Sequence, residues 1–582
     1  MKSRVLPGTV LSVILAVSAF ADVQTNTWIE GSTDWSAAAS YVENRKPEAG
    51  DAVIIPSGVT ATVSVASTET ANAEGSSFDV FSKLGRVLTE DATASVVLDI
   101  AEGASVTNFC YIYGKNSGKG TIIKRGLGMI EFGTASSEYG YNLDVEVKEG
   151  SLVLPQNFAS STGCYLGKVT VDEGAVLVTA ADSAHSTSLS HGFTMVYELW
   201  GGGVVTNRWS SKRFNLRSSG RVCEFSGVFA RGVRLNMNMA STLLLTGTNS
   251  TVSPEIGGGM TMGFKKFGMQ GERSSMGTGG VTFRTGAGTV RYLGEGETSN
   301  KSFSSWNNEN NDHTIDAGAK GGLNLTGEIG CYVPSNLNET RGMKRLVLTG
   351  SNTVPCVFNG TLPTWSIQTT NYNWHVTKKG TGTWRFADKA QTHAGAWTVE
   401  DGTLQFESLK QKGTACSLGT STNLMENYGG LINESKRVPW AFALGGATTR
   451  GKMEYVGTND ATCSTRPLEL KGMGGTFASS SNAVMRFYGV TAAAGVDAAL
   501  TLAGDATMVT NVIGEVCDGK GKVSLVKEGA GTWMLGGPSN TFSGSLSVKA
   551  GTLCVLDPSA PYTGFRLTIT RACAADGEAD GN

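Results

Sequence analysis

A short pattern of apolar residues and glycine recurs four times along this chain of 582 residues. In each copy two apolar residues stand two positions apart, a glycine follows the second by three positions, and apolar residues return five and seven positions after that second residue. The copies are Val145, Val147, Gly150, Leu152, Leu154; Val169, Val171, Gly174, Val176, Val178; Trp397, Val399, Gly402, Leu404, Phe406; and Leu546, Val548, Gly551, Leu553, Val555. Period-two spacing is typical of a strand with one buried face, so each copy predicts two short strands.

The spacing between the two halves of each copy requires a turn. An offset of five would place the second apolar pair on the opposite face of a continuous strand, so the backbone must turn near the glycine. Glycine adopts positive φ without a Cβ clash. We therefore interpret Gly150, Gly174, Gly402 and Gly551 as structural turn residues of a repeat.

The first two copies lie 24 residues apart, from Val147 to Val171, which suits one coil of a solenoid. Stacked coils pair their strands in parallel about 4.8 Å apart and bury faces that a single coil leaves exposed. The pattern thus predicts an all-β fold, a right-handed parallel β-helix (solenoid). At twenty to twenty-five residues per coil, about two dozen coils would form a rod roughly 110 Å long.

A second motif precedes three of the copies and combines a charged turn, Gly-x-Gly and alternating apolar residues. Its three examples are Lys124–Phe132, Lys378–Phe386 and Val526–Leu535. Two related pieces, Leu243–Asn249 and Leu346–Asn352, read as a strand followed by a turn. They indicate further units of the same kind.

The segment from Lys527 to Leu556 resembles the autotransporter-associated β-strand repeat. The resemblance rests on Gly529-Ala530-Gly531-Thr532, Ser539-Asn540-Thr541-Phe542-Ser543-Gly544 and Ala550-Gly551-Thr552-Leu553. The units at 378–406 and 124–154 match it less fully. The resemblance implies a β-helical extracellular passenger without specifying an activity. Autotransporters end in a membrane barrel of alternating segments, and none follows Val555, which argues against self-anchoring through a barrel. The acidic end of the sequence is compatible both with a frayed tail and with the cut edge of a longer protein.

The N-terminus reads as an export signal. Lys2 and Arg4 precede the apolar run Val10–Val17, and Ala19–Ala21 offers small residues for cleavage. We therefore expect a signal peptide at residues 1–21, a β-helix repeat domain at 22–560, and a short strand with an acidic tail at 561–582. These features predict a secreted or cell-surface protein whose mature chain has no membrane span.

The composition of the chain favours some fold and partner classes and argues against others. Glycine accounts for 77 of the 582 residues, against 13 prolines, which favours β-structure with many turns. The formal net charge of -2 supplies no field for steering nucleic acid, so we expect no such partner. The ten cysteines contain no CxxC pair, which argues against a zinc or redox framework. Disulfides and buried free thiols are both compatible with this pattern.

One pair of acidic residues is a candidate catalytic site. Stacking the first two copies places Lys148 beside Asp172 and Glu149 beside Glu173. Two carboxylates about 5 Å apart suit a retaining glycosidase or a calcium site. The alternative interpretation is a turn with solvated charges, which we favour because nothing else converges there.

The other motifs are weaker evidence for a functional site. Gly514–Lys520 has the skeleton of a phosphate loop, but Gly521 stands where Ser or Thr is required, and a strand follows in place of a helix. His185 and His191 lack a third ligand nearby, and we interpret the histidines as solvated loop residues. The Asn-rich stretch Trp306–His313 reads as a polar loop. We therefore expect no cofactor and no metal.

These observations favour a structural or adhesin-like rod that presents loops to carbohydrate or other cell-surface components. The alternative is an extracellular polysaccharide lyase or glycoside hydrolase on a β-helix scaffold. An enzyme should concentrate acids and bases on one flank across neighbouring coils. The oligomeric state is left open by the sequence.

Overall fold

The computed structural model describes residues 24–114, 119–132, 143–154, 164–179, 194–207, 212–216, 220–230, 233–237, 240–249, 254–284, 286–305, 311–331, 343–367, 370–424, 438–537, 539–556 and 566–571. The predicted signal peptide lies outside these residues. Helical segments in the described ranges occur near the N-terminus, as a 3-10 helix at Ala38–Ser40 and the α-helices α1 at Thr68–Ala71 and α2 at Ser77–Lys83. None of these helices is long and apolar enough to cross a membrane.

Short strands make up the rest of the regular structure. The strands in the first third are β1 Thr25–Thr27, β2 Ala52–Ile55, β3 Thr60–Val65, β4 Arg86–Thr89, β5 Ser95–Ile100, β6 Ser105–Asn108, β7 Tyr111–Gly114, β8 Thr121–Arg125, β9 Met129–Phe132, β10 Asp144–Val147, β11 Ser151–Val153, β12 Cys164–Val171, β13 Val176–Thr179, β14 Thr194–Gly201 and β15 Val204–Asn207. The middle strands are β16 Lys212–Leu216, β17 Val222–Phe225, β18 Val228–Phe229, β19 Val233–Met237, β20 Thr242–Leu245, β21 Glu255–Ile256, β22 Met260–Phe264, β23 Val281–Phe283, β24 Gly288–Tyr292, β25 Glu297–Ser299, β26 Phe303–Ser305, β27 Asp312–Asp316, β28 Leu323–Leu325, β29 Ile329–Cys331, β30 Met343–Thr349, β31 Cys356–Phe358, β32 Trp365–Ile367, β33 Thr370–Lys378 and β34 Thr383–Phe386. The last strands are β35 Trp397–Val399, β36 Thr403–Phe406, β37 Phe442–Leu444, β38 Gly451–Tyr455, β39 Ala461–Cys463, β40 Leu468–Leu470, β41 Gly474–Ser479, β42 Met485–Ala492, β43 Ala498–Ala503, β44 Thr510–Gly519, β45 Val523–Lys527, β46 Thr532–Gly536, β47 Leu546–Val548, β48 Gly551–Leu556 and β49 Arg566–Arg571.

Strands of successive coils pair in parallel. In β10 and β12, Val145 lies opposite Val169 and Val147 lies opposite Val171, while β8 pairs with the other edge of β10. The predicted parallel β-helix is therefore confirmed in the register that defines it. Two pairings depart from the pattern, because β32 with β33 and β48 with β49 are antiparallel.

Coil length varies more than the sequence suggested. Thr242 pairs with Thr261, 19 residues along the chain, whereas Trp397 pairs with Phe442, 45 residues along. The predicted coil of twenty to twenty-five residues is thus wrong for these two coils, one of which is slightly shorter and the other much longer. Additional residues lie between strands, where they lengthen a coil without interrupting the ladder.

The second repeat copy contains one extra residue in its turn. Leu152 of β11 lies opposite Leu177 of β13, not opposite Val176. Leu177 is fully buried and Val176 only partly, so the predicted inward position of Val176 is wrong. A shift of one residue exchanges the two faces of a strand, which accounts for the change. In the fourth copy Leu546, also predicted to point inward, is 41% exposed.

The interior is a single continuous column of apolar side chains from Trp28 to Leu553. Equivalent positions of successive coils stack on one another, as in Trp384, Leu404, Met453 and Phe477. The column also contains thiols. Cys110, Cys223, Cys356, Cys416, Cys463 and Cys554 are buried thiols that form no disulfide. For these residues the thiol alternative holds over the disulfide.

An aromatic cluster lies at the N-terminal end of the column. Trp28 stacks on Trp35 with ring centroids 4.3 Å apart, and Phe81 of α2 packs edge-on against Trp35 at 4.8 Å. The indole Nε1 of Trp35 donates to the carbonyl oxygen of Thr62 in β3. These contacts place α2 against the first coils and cover their apolar interior.

Candidate functional site

Each of the three charged turns contains a fully buried lysine. The Nζ atom of Lys378 donates to the carbonyl oxygens of the next two residues, at 2.7 and 2.6 Å, and to that of Asp401 at 3.1 Å in the following coil. Lys124 and Lys527 form the same three hydrogen bonds in their own units. We call this arrangement the lysine clamp. It ties the turn of one coil to the turn of the next.

The clamp holds an ammonium group away from water. Burial lowers the pKa of Lys378 to about 8, and the carboxylate of Asp401 opposes the shift. Burial likewise lowers the pKa of Lys124 to about 8, opposed by Asp99 and Glu149. Hydrogen bonds to carbonyl oxygens offset part of the desolvation cost, which explains how a cation is accommodated in the core.

The four repeat glycines occupy left-handed backbone, and Gly150, Gly402 and Gly551 lie at turns that the lysine clamps join. Their φ angles are 60° at Gly150, 62° at Gly402, 69° at Gly551 and 83° at Gly174. A Cβ atom at Gly402 would lie 2.2 Å from the carbonyl oxygen of Gly380. Cβ atoms at Gly150 and Gly551 would lie 2.3 and 2.2 Å from backbone oxygens of the adjacent coil. A Cβ at Gly174 would meet nothing within 4 Å. The effect of these four glycines on stability remains a prediction.

The candidate acidic pair lies at an exposed turn. Lys148 Nζ contacts Glu146 Oε2 at 3.1 Å and Asp172 Oδ2 at 3.4 Å. Glu149 Oε2 accepts a hydrogen bond from the backbone amide of Gly126, and both Glu149 and Glu173 are exposed. One carboxylate is therefore engaged in closing a turn, which suits a structural role as well as a catalytic one.

The other predicted motifs fall within strands or outside the described residues. Gly514–Lys520 is largely the end of β44 and has no helix after it. His185 and His191 lie outside the described residues, as do residues 306–310 of the Asn-rich stretch. The remaining histidines, at 313, 375 and 393, are buried, so their interpretation as solvated loop residues is wrong. His313 stacks on the ring of Phe283 at 4.8 Å, and burial lowers its pKa to about 3.

An open groove runs along one corner of the stack, parallel to its axis. It follows the turns after β20, β22, β24, β27, β30 and β33, and consists of two adjoining cavities of about 700 and 600 Å³ that share Tyr292, Leu293 and Gly294. Six coils at about 4.8 Å each make the groove roughly 24 Å long between its outermost turns. The two strand-turn pieces recognised in the sequence, at 243–249 and 346–352, supply part of its lining.

Small and hydroxylated residues line this axial groove. Its lining includes the glycines Gly247, Gly294, Gly318, Gly350 and Gly380 and the hydroxyl residues Thr246, Thr248, Thr349, Ser351 and Thr381. A Cβ at Gly318 would lie 2.2 Å from the carbonyl oxygen of Tyr292, so the coils approach too closely here for a side chain. Glycine at this position thus allows the close packing of adjacent coils beside the groove.

Most charged groups of the groove are already paired. Arg291 Nε donates to Asp316 Oδ2 at 2.7 Å, and Lys320 pairs with Glu295. The carboxylate of Glu297 accepts hydrogen bonds from the backbone amides of residues 267 and 268, at 2.6 and 2.9 Å.

Two exposed lysines, Lys265 and Lys266, complete the lining. Neither forms an ion pair within the described ranges. A hydrogen bond from Lys320 and the charges of Lys320 and Lys265 lower the pKa of Glu295. Lys265 therefore acts on the groove electrostatically, and with this lysine pair the four cations of the lining exceed its three carboxylates by one.

The stacked coils, the lysine clamps and the axial groove define a parallel β-helix repeat protein. A model of the passenger-associated-transport-repeat matches residues 376–406 and 525–555, so the chain carries two copies of that repeat, and the predicted resemblance is confirmed. The adhesin BmaC autotransporter of Brucella suis biovar 1 (strain 1330) is 25% identical over 480 residues, which cover 78% of this chain and 12% of that relative. The chain thus spans about an eighth of the relative's length. No solved structure matches it significantly.

The sequence did not reveal the lysine clamp or the groove. The clamp lysines read as part of a charged turn, although each stands two positions before a glycine at Gly126, Gly380 and Gly529. That shared spacing was the available signal. It also identifies residues 124–154 as a third structural copy, because Lys124 and Gly150 reproduce the contacts of the two matched copies.

Proposed function

We propose that this protein is a secreted or cell-surface adhesin-like rod without catalytic activity. The observation that carries the proposal is the uninterrupted parallel stack with passenger repeats, because such a stack is a rigid scaffold that displays corners and loops along its length. A relative named as an adhesin supports the same interpretation. Carbohydrate or other cell-surface components are the partners that fit it.

The state of the groove carboxylates supports binding over catalysis. A lyase or hydrolase needs an acid and a base free to exchange protons with substrate. Asp316, Glu295 and Glu297 are instead held by a cation or by backbone amides. This favours the adhesin-like rod over the polysaccharide-degrading enzyme.

Export is part of the proposal. Residues 1–21 would serve as a signal peptide, residues 22–560 as the rod, and residues 561–582 as a strand and tail. Expression of the full chain in a Gram-negative host, with N-terminal sequencing of the exported protein, should find Asp22 as the first residue. Recovery of protein that retains Met1 outside the cytoplasm would contradict this assignment.

Surface display tests the adhesive role. The chain, fused to a heterologous outer-membrane anchor on a non-adherent bacterium, should increase attachment to host cells or glycan-coated surfaces relative to the anchor alone. A Val147→Asp, Val171→Asp variant, which places two carboxylates in the core, serves as the unfolded control. Display of a protease-resistant rod at equal density without increased attachment would overturn the proposal.

A further inference from the structure

We propose that the axial groove binds an extended anionic polysaccharide. This rests on the proposed adhesin-like function and specifies its ligand. The groove is long and open to solvent, and it crosses six coils rather than closing around one point. A chain that lies along the rod would fill this shape, whereas a compact ligand would occupy only part of it.

The lining is suited to a polyhydroxylated chain. Hydroxyl groups lie towards both ends of the groove, Thr246 on its first turn and Thr349, Ser351 and Thr381 on its last two, so a hydroxylated ligand meets hydrogen-bonding partners at both ends. The glycines between them let the backbones of adjacent coils approach closely, as at Gly318 and Gly380. Hydroxyls and backbone groups both donate and accept hydrogen bonds, as sugars do.

The charge of the groove selects an anionic ligand. Two of its carboxylates are paired with cations, Asp316 with Arg291 and Glu295 with Lys320, and the third, Glu297, accepts hydrogen bonds from two backbone amides. The exposed ammonium groups of Lys265 and Lys266 form no ion pair with any residue that the structure describes, and they leave the lining with one excess positive charge. A carboxylated or sulfated glycan would provide the missing counter-charge.

Two other polymers fit less well. An extended peptide binds most readily by adding to an unpaired strand edge, but the strands beside the groove, such as β24 and β27, are paired on both edges. Single-stranded nucleic acid stacks its bases on exposed aromatic rings. Tyr292, the aromatic residue in the groove lining, is buried, and its hydroxyl accepts from the backbone amide of Gly296.

Affinity measurements on the purified chain test the proposal. Polygalacturonate supplies carboxylates and heparin supplies sulfates, while dextran is the neutral control and polyglutamate and oligothymidine are the competing polymer classes. A Lys265→Ala, Lys266→Ala variant should bind the preferred anionic glycan about tenfold more weakly. The matched control is Lys410→Ala, Lys412→Ala, which removes the same charge from an exposed loop outside the groove.

A second variant separates the groove from the lysine pair. Ser351→Trp places a large ring at an exposed position of the lining and leaves every charge in place. It should also weaken glycan binding about tenfold, if the ligand lies along the groove. Circular dichroism and thermal unfolding should match the parent protein for all three variants, because each altered side chain is exposed.

The outcomes are distinct. Weakened binding in both groove variants with unchanged binding in the loop control supports the proposal. Equal loss in the loop control, equal affinity for dextran, tighter binding of polyglutamate or oligothymidine, or no binding of either anionic glycan would overturn it. If the displayed rod still promotes attachment in that last case, the groove assignment fails while the adhesin-like function stands.

Discussion

Three buried lysines of this protein donate hydrogen bonds from their ammonium groups to backbone carbonyl oxygens in the core. Lys124, Lys378 and Lys527 each bridge two coils in this way. Removing an ammonium group from water costs several kcal/mol, and each hydrogen bond from a charged donor offsets about 1.5–3 kcal/mol of that cost. The clamp is therefore favourable only while all three acceptors remain in place. It contributes mainly by making any other arrangement of the two turns costly.

Replacement of Lys378 by methionine keeps the apolar stem and removes the donor. We expect the free energy of unfolding to fall by about 2–4 kcal/mol, since three buried carbonyl oxygens lose their partner. Chemical denaturation and hydrogen exchange at the two turns measure the effect. Lys379→Met is the control, because that neighbouring side chain is 39% exposed in an ion pair with Glu400. Equal losses in the two variants would contradict the clamp.

The clamp also predicts a dependence on pH. The pKa of Lys378 is lowered to about 8 in the folded protein, from 10.5. Between these values the unfolded chain holds a proton that the folded protein has released, so the contribution of Lys378 to stability rises with pH. The stability difference between the parent protein and Lys378→Met should be level below pH 8 and increase up to pH 10.5. A difference that falls in that window would contradict the prediction.

The turn glycines should differ in their tolerance of alanine. Gly174→Ala should lower the free energy of unfolding by about 1–2 kcal/mol, the cost of a left-handed residue, because its surroundings are open. Gly402→Ala adds a backbone clash at 2.2 Å and should cost roughly 3 kcal/mol or more. Thermal and chemical unfolding of the two variants provide the test. A smaller loss for Gly402→Ala than for Gly174→Ala would refute the assignment of these turns.

At the scale of secondary-structure elements, one buried arginine holds the loop that follows β36 against the stack. Arg466 is fully buried and donates to the carbonyl oxygens of Thr414 at 2.9 Å and Gly419 at 2.6 Å, and to the sulfur of Cys416 at 3.3 Å. These acceptors belong to the loop that follows β36. A planar guanidinium group with several donors suits such a spread of acceptors. The loop is thus held to the stack by a cation, as the repeat turns are.

Replacement of Arg466 by methionine should release this loop. We expect faster trypsin cleavage after Lys410 and Lys412 and a loss of about 2–3 kcal/mol in stability, because the loop carbonyls lose a charged donor. Limited proteolysis with mass spectrometry identifies the cleavage sites. Arg486→Met is the control, since its pair with Asp460 lies at the surface. Unchanged cleavage of the loop in Arg466→Met would show that Arg466 does not hold it.

For the whole molecule, stacking implies that stability is transmitted only between neighbouring coils. Strand β10, for example, pairs with β8 and β12 alone among the described strands. Repeat proteins of this kind have stabilities close to a sum of coil and interface contributions. Local changes should therefore stay local.

Clamp substitutions at opposite ends of the rod test this locality. The Lys124→Met, Lys527→Met double variant should lose the sum of the single losses to within about 0.5 kcal/mol. Hydrogen exchange should accelerate in the coils beside each substitution and remain unchanged between them. A coupling free energy above about 1 kcal/mol would indicate that the rod unfolds as one cooperative unit.

Much of this architecture was predictable because it depends on short-range patterns. Apolar residues at every second position and a glycine at a fixed offset specify strand, turn and strand, and their recurrence after 24 residues specifies stacking of Val147 on Val171. Each coil packs against a near copy of itself, so the local pattern also dictates the neighbouring contacts.

Tertiary structure decided what depends on exact coil length and on contacts across coils. One extra residue in the turn at Gly174 exchanged Val176 for Leu177 in the core, and insertions of unequal length set the number of coils. Lys378 reads as a surface charge until the next coil supplies the carbonyl oxygen of Asp401. The axial groove likewise exists only where six turns from distant parts of the chain align, because its width depends on how closely their backbones approach.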